Sequence, residues 1–184
     1  MHTERLNPVD ISGAEIARAG DTQEQLSITG SYEVKCLDAD GNLKWEDTIK
    51  NLVVTVGKND LLTQYFKGAA YSATWYMGLV DGATSPTYDA GDTLASHAGW
   101  TESTAYSGTN RISVGWGSAS AGSLSSTSTT FSINATATIA GALMCQTQAR
   151  ATVSGVLYSA GSFTGGNRSV VNLDSLLVTY TASV

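Results

Sequence analysis

The feature that most constrains the fold is a period-two alternation of apolar and polar residues between positions 31 and 50. Residues 32–36 read YEVKC, so Tyr32, Val34 and Cys36 share one face, and residues 43–50 (LKWEDTIK) alternate in the same way. Successive side chains of a strand point to opposite faces, so each stretch predicts a strand with one buried face. The run DADGN at 38–42 supplies turn residues between them, which predicts an antiparallel hairpin with an exposed turn.

Large aromatic residues are concentrated between positions 71 and 116. This stretch holds three of the four Trp residues. Aromatic side chains bury much apolar area, so we expect Trp75 and Trp116 to lie in the core. Residues 75–80 (WYMGLV) predict a buried strand and residues 111–116 (RISVGW) a half-buried one. The Gly-, Asp-, Ser- and Thr-rich loop between them is long, and long ordered loops often carry function.

Two helices are predicted. Residues 51–56 (NLVVTV) favour a third strand, after which GKND breaks the pattern and begins a helix over 60–67 that ends at Gly68. Leu61, Leu62, Tyr65 and Phe66 form the apolar stripe of a helix that packs on a sheet. Residues 92–98 suggest a second short helix, ended by Gly99.

The second half of the chain is rich in Ser, Thr and short β-compatible stretches. Residues 118–130 are low in complexity, and the alternation after position 129 favours a loop and the polar faces of strands over a flexible linker. Further strands are expected near 137–146, 155–159 and 174–182. With eight to ten short strands, the predicted fold is mainly β: an antiparallel β-sandwich or jelly-roll-like domain over residues 28–184, with one or two short helices.

Residues 1–27 predict an N-terminal arm rather than part of the core. They are polar, and Gly13 and Gly20 interrupt the helical stripe that contains Ile11 and Ile16. We expect this arm to become ordered on a neighbouring subunit.

Charge is distributed unevenly. The chain carries a net charge of −6, yet residues 103–184 contain only four charged residues: Arg111, Arg150, Arg168 and Asp174. An acidic chain without a Lys/Arg cluster argues against nucleic-acid binding. The charge-poor half predicts self-association through a surface covered by other subunits; a Ser/Thr-rich polar surface is an equally good interpretation.

No membrane or secretion signal is recognisable. The first residues, MHTERLNP, lack the apolar run of a signal peptide, and no stretch reaches 18 apolar residues. We therefore expect synthesis in a host cytoplasm and no membrane partner.

The sequence contains no convincing catalytic or metal site. Cys36 and Cys145 are isolated; a buried free thiol is favoured for Cys36, and a disulfide stays open. The run DADGN lacks the Gly and Glu positions of a calcium loop. His97 has no zinc-ligand spacing and no nucleophile motif around it, so a structural role is favoured. A hydrolase that uses Asp92 and Glu102 is the weakest hypothesis, and no cofactor, metal or enzymatic activity is expected.

Several runs taken together resemble a family of small structural proteins encoded by tailed bacteriophages and prophages. The resemblance spans roughly residues 30–182 and is carried by DADGNLKW (38–45), the run 51–67 with its VGKNDLL core, TWYMGL (74–79), AGDTLASHAGWTE (90–102), Tyr106 with TNR (109–111), and YSAGSFTGGNRSVV (158–171). It implies a non-enzymatic virion protein that decorates and stabilises the capsid exterior as a homo-oligomer. The implied partners are the major capsid protein or other virion proteins.

A tail or adsorption-apparatus component is the alternative that the resemblance leaves open. Such a protein could contact host glycan through exposed aromatic side chains. Trp100, Tyr106 and Arg111 are therefore the candidate partner-contact residues, although burial of the two aromatic rings is the favoured interpretation.

Overall fold

A computed structural model describes residues 27–67, 74–150 and 152–184. The predicted arm over residues 1–27 therefore lies, except for Ser27, outside the described residues. The predicted helix end at Gly68 also lies outside them.

The described residues form eleven strands and one helix. In chain order they are β1 Thr29–Leu37, β2 Leu43–Lys50, β3 Leu52–Val53, α1 Thr55–Lys67, β4 Trp75–Asp81, β5 Ile112–Val114, β6 Ser123–Ser125, β7 Thr129–Ser132, β8 Ala137–Cys145, β9 Leu157–Ser162, β10 Arg168–Val170 and β11 Ser175–Ser183.

The strands form two antiparallel sheets. The first sheet has the order β2-β1-β11-β6, with β7 also paired to β11. The second sheet has the order β3-β9-β8-β4-β5, with β10 also paired to β8. The prediction of a mainly-β sandwich is confirmed.

The predicted hairpin is present as β1 and β2. Tyr32 pairs with Ile49, and both side chains are fully buried. In the turn, the Asp38 carboxylate accepts hydrogen bonds from the backbone N–H groups of Asp40 (3.0 Å) and Asn42 (2.8 Å). Gly41 has a φ of +85°, a conformation that glycine adopts without steric cost.

Two apolar clusters lie on opposite faces of the second sheet. The larger one fills the space between the sheets, where Val34 and Val178 belong to the same cluster as Met77 and Ile139. The smaller one joins residues of the second sheet, such as Leu143, to side chains from the long loop after β4. As a result β4, β8 and β9 are buried along nearly their whole lengths.

Local predictions around the helix were only partly correct. The third strand is limited to Leu52–Val53, and α1 begins at Thr55, five residues before the predicted start. Backbone bonds from Val54 to Tyr158 and from Thr55 to Ala90 end the strand, and Lys58 then donates to the Val54 carbonyl in the first helical turn. Tertiary contacts thus override the β propensity of this apolar run.

The second predicted helix is wrong. Residues 92–98 form an irregular loop with a bend at Leu94 and Ala95, closed by reciprocal backbone bonds between Thr93 and Ser96 of 2.9 and 3.2 Å. The Thr93 hydroxyl oxygen also accepts from the Ser96 N–H at 3.0 Å. Such side-chain bonds to the backbone compete with helix formation.

Of the two tryptophans expected in the core, Trp75 is buried, with 7% of its surface exposed. Trp116 packs against the same cluster but is only partly buried. Its open side contributes to the groove described next.

Candidate functional site: an aromatic groove beside the helix

Helix α1 does not bury its whole apolar stripe. Leu61 is partly buried, whereas Leu62 is 43% exposed, Tyr65 80% and Phe66 75%. The prediction that these aromatic side chains pack on a sheet is therefore wrong. We call Leu62, Tyr65 and Phe66 the outer face of α1.

Beside α1 lies a groove of about 730 Å³ at one end of the sandwich. One wall is α1, through Gly57, Leu61 and Tyr65, and the other walls come from the two sheets. The second sheet contributes Trp75, Met144 and Tyr158, and the first sheet with its preceding loop contributes Trp116, Gly117, Leu124, Tyr180 and Ala182. The lining is strongly apolar and aromatic, as in sites that bind apolar groups.

A small polar cluster lies at the helix side of the groove. The Asp60 carboxylate accepts hydrogen bonds from the side-chain amides of Gln64 (3.2 Å) and Gln146 (2.9 Å). The Gln64 carbonyl oxygen is buried and has no hydrogen-bond partner among the described residues, and the same holds for the carbonyl oxygen of Asn51, which does not line the groove. Buried polar atoms are nearly always paired, so these two acceptors are exceptions.

Tyr180 lines the groove, and the buried Tyr32 packs against it from the interior. The Asn51 amide donates to the Tyr180 hydroxyl at 3.3 Å, and the Tyr32 hydroxyl lies 2.8 Å from the hydroxyl of Ser159. Burial raises the pKa of both Tyr180 and Tyr32 above that of an ordinary phenol. Both phenols are therefore uncharged at neutral pH and stay so further into the alkaline range than an ordinary phenol.

The three predicted partner-contact residues are all in the interior. Trp100, Tyr106 and Arg111 are 3%, 0% and 4% exposed. None of them lines the groove. The glycan-contact hypothesis requires exposed rings, and the structure gives it no such ring at Trp100 or Tyr106.

Arg111 holds the long loop after β4 to the second sheet. Its Nε lies 3.1 Å from both carboxylate oxygens of Glu102, and its Nη2 lies 2.9 Å from Glu102 Oε2. Its Nη1 donates to the carbonyls of Thr147 (2.8 Å) and Ala149 (3.1 Å). Although burial opposes the charge, the hydrogen bonds that Arg111 donates to Glu102 raise the pKa of Arg111.

Tyr106 belongs to the same network. Its hydroxyl donates to Glu102 at 3.4 Å, and the Arg150 guanidinium lies over its ring at 4.3 Å. Burial and the neighbouring Glu102 carboxylate raise the pKa of Tyr106. Burial likewise raises the pKa of Glu102, which Arg111 opposes. These contacts hold the loop in place, and we call the ion pair at their centre the Arg111–Glu102 brace.

Trp100 is held by two neighbours in the same loop. Its indole N–H donates to Asp92 at 2.9 Å, and the His97 ring stacks on it at 3.9 Å. His97 Nδ1 lies 3.0 Å from the Trp100 carbonyl oxygen. His97 and both carboxylates of the hydrolase hypothesis, Asp92 and Glu102, are thus engaged in contacts that shape the loop.

Cys36 is buried, as the sequence favoured, and both cysteines are free. Its sulfur lies 3.8 Å from the buried carboxylate of Asp174, which Lys44 contacts at 2.6 Å. Burial, together with Asp174, raises the pKa of the Cys36 thiol to about 11. A thiol of that pKa is a poor nucleophile at neutral pH.

Residues 27–67, 74–150 and 152–184 contain no group of three or more His, Cys, Asp or Glu side chains placed to hold a metal ion. They also contain no helix of the length and apolar character that a membrane crossing requires.

No protein family matches the sequence, and comparisons with curated proteins and with solved structures returned no significant relative or structural neighbour.

The groove and the outer face of α1 are therefore the surfaces from which a function can be inferred. Sequence reasoning missed the groove because its lining comes from distant positions, such as Trp75 and Tyr180. The sequence feature that could have indicated the groove is the apolar stripe of α1, which contains two i, i+4 pairs: Leu61 with Tyr65, and Leu62 with Phe66. Leu61 and Tyr65 line the groove, whereas Leu62 and Phe66 do not.

Proposed function

We propose that the protein is a non-enzymatic structural component of a bacteriophage virion that decorates the capsid exterior as a homo-oligomer. The observation that carries this proposal is the outer face of α1, where Leu62, Tyr65 and Phe66 are exposed next to one another on a well-packed β-sandwich. Adjacent exposed apolar side chains are typical of protein contact surfaces. The resemblance to tailed-phage structural proteins supports the virion as the setting.

The chemistry of this surface suits contact between proteins. The rings of Tyr65 and Phe66 lie 5.0 Å apart in an edge-to-face arrangement. Aromatic residues are enriched at the centres of interfaces and bury large areas with few rotatable bonds. Many copies on a shell bind jointly, so a modest contact for each copy is sufficient.

The brace formed by Arg111 and Glu102 fits a structural role. It fixes the long loop through a buried ion pair and leaves the loop's aromatic side chains inside. A decorating subunit has to keep its shape under load, and a loop packed as a third layer contributes to this rigidity.

The proposal is tested by locating the protein on particles. Virions produced with an epitope tag after Val184 would be labelled with gold-conjugated antibody and imaged by electron microscopy. Label distributed over the capsid is the expected result. Label confined to the tail would show instead the tail component, and unlabelled particles that lack the protein would overturn a virion role.

The contribution of the α1 outer face is tested in the same system. Particles that lack the protein would be incubated with purified wild type, with L62S/F66S, or with L43S/V153S, and then sedimented. Leu43 and Val153 are also exposed apolar residues but lie outside the helix, so they provide a matched control. We expect retention to fall for L62S/F66S alone; equal retention of all three proteins would exclude this face.

A further inference from the structure

The groove beside α1 is lined mainly by apolar and aromatic side chains, and its position relative to the first described residues points to an occupant. Thr29 pairs with Ser183, and Gly30 pairs with Ala182, which lines the groove. β1 runs from this end of the sandwich towards its turn at residues 38–42. The chain before Ser27 therefore enters the domain at the groove.

Ile28, close to the first described residue, is an apolar side chain that already contacts the core. It is partly buried and packs against the cluster between the sheets, to which Trp116 and Ala182 are also attached. Twenty-six residues precede Ser27. Their densest apolar stretch is residues 9–17 (VDISGAEIA), which contains Val9, Ile11 and Ile16.

We propose that the groove is the docking site for residues 9–17 of the same chain. This inference is independent of the proposed function. Ten residues lie between Ala17 and Ile28, and an extended chain across that interval spans up to about 35 Å. The stretch can therefore turn back at Ser27 and reach any part of a groove whose rim begins at Ala182.

The chemistry of the groove matches such a segment. Its aromatic and aliphatic lining accepts the side chains of Ile11 and Ile16. Gln64 lines the groove, and its carbonyl oxygen, which has no partner among the described residues, is an acceptor for a backbone N–H donor. A peptide segment supplies both apolar side chains and N–H groups.

Docking of the segment from the same chain is favoured over docking from a second copy, because the tether raises the local concentration of the segment. A short tether holds a segment at an effective concentration in the millimolar range. A neighbouring copy matches that only in a crowded assembly. Docking within one chain also covers Trp116 and Leu124, which are otherwise only partly buried.

Disulfide trapping in the full chain tests the inference. Ile16→Cys would be combined with Leu124→Cys in the groove or, as a control, with Val171→Cys. Val171 is 44% exposed and precedes β11, so it lies at the far end of the first sheet from Ser183. Cys36 and Cys145 are buried and do not compete.

After oxidation with copper phenanthroline, we expect an intramolecular cross-link in the Leu124→Cys protein at least about fivefold more abundant than in the Val171→Cys protein. Equal trapping at both sites would overturn the inference. Cross-links found only between chains would also overturn it, since they would assign the groove to the segment of another copy.

A second measurement needs no cysteine. An anilinonaphthalene sulfonate dye would be added to wild type, to I11D/I16D, and to T3D/T22D, which adds two charges of the same sign before Ser27 but outside residues 9–17. Dye fluorescence should increase for I11D/I16D, in which the groove is vacated, and stay low for the other two proteins. Strong dye binding by wild type would show that the groove is open and would overturn the inference.

Discussion

Gly57 and Tyr158 are in direct backbone contact: a Cβ at Gly57 would lie 2.7 Å from the Tyr158 carbonyl oxygen and 2.9 Å from its Cα. Gly57 is the buried residue of α1, and Tyr158 lies in β9. This contact sets the distance between the helix and the second sheet. Because Gly57 and Tyr158 both line the groove, it also sets the width of the groove.

Gly57→Ala should therefore destabilise the protein even though alanine is the better helix former. The propensity gain is about 1 kcal/mol, whereas overpacking against backbone atoms costs about 1–3 kcal/mol and more where the backbone has to move. We expect a net loss in the free energy of unfolding, measured by urea denaturation. Asn59→Ala, at an exposed position two residues along, is the control and should be neutral or stabilising. A more stable Gly57→Ala protein would contradict the close contact.

The hairpin and the helix show what the sequence can and cannot predict. The pairing of β1 with β2 is local, since both strands and the Asp38 turn lie within 22 residues, so alternation and turn chemistry were sufficient. The start of α1 depends on Tyr158 and Ala90, which accept the N–H groups of Val54 and Thr55 from far along the chain. No local pattern contains that information.

The candidate site has the same limitation. Phe66 and Leu61 belong to one apolar stripe, yet only Leu61 lines the groove, because the position of Gly57 fixes the rotation of α1. Burial of the Trp100 ring was the favoured interpretation and is confirmed, but the composition of the long loop did not indicate that the indole N–H would donate to Asp92. Predicting the partners of this loop would have required knowing that β8 is buried on both faces, which depends on the complete fold.

Removing one partner of the Arg111–Glu102 brace should strongly lower the free energy of unfolding. Both side chains are largely buried, at 3% and 12% exposure. Removing one charge leaves the other buried and unpaired, which costs about 3–5 kcal/mol. Arg111→Met should therefore lower the free energy of unfolding by that amount, as measured by chemical denaturation.

The double variant E102Q/R111M measures the interaction between the two side chains apart from their contacts with other residues. It should be less destabilised than the sum of its single variants, because no uncompensated charge is left. Arg111→Lys should also destabilise, since one ammonium cannot serve Glu102 and the carbonyls of Thr147 and Ala149 together. A stable Arg111→Lys protein would contradict the brace.

Asp47 should make the protein sensitive to acid. Its buried carboxylate contacts Arg168 Nη2 at 2.5 Å and accepts from Thr164 Oγ1 at 2.9 Å and from the Thr48 N–H at 2.8 Å. Burial alone would raise the pKa of Asp47, but these bonds outweigh it and lower the pKa below its usual range. Its stabilisation is therefore complete above the unfolded-state pKa of about 3.9 and is lost as the pH falls through the lower folded-state value.

Asp47→Asn tests this dependence. At pH 7 the variant should lose about 1.5–3 kcal/mol, the range for hydrogen bonds to a charged group. The difference from wild type should shrink as the pH is lowered below about 4 in urea titrations. Asp40→Asn, at an exposed turn position, is the control and should unfold like wild type. A constant difference between Asp47→Asn and wild type at all pH values would contradict the assignment.

The outer face of α1 should affect association without unfolding the protein. Leu62 and Phe66 are 43% and 75% exposed, so replacing them with Ser removes only part of a buried side chain and should lower the free energy of unfolding by about 1 kcal/mol, well below the typical total of about 5–15 kcal/mol. If this face joins copies of the chain, sedimentation velocity of wild type should show a concentration-dependent oligomer, and L62S/F66S should shift the distribution towards monomer. L43S/V153S removes two exposed apolar side chains elsewhere and should leave the oligomer intact. An equal loss of oligomer in both double variants would place the effect in general surface hydrophobicity, and an unchanged oligomer in L62S/F66S would move the self-association surface away from the helix.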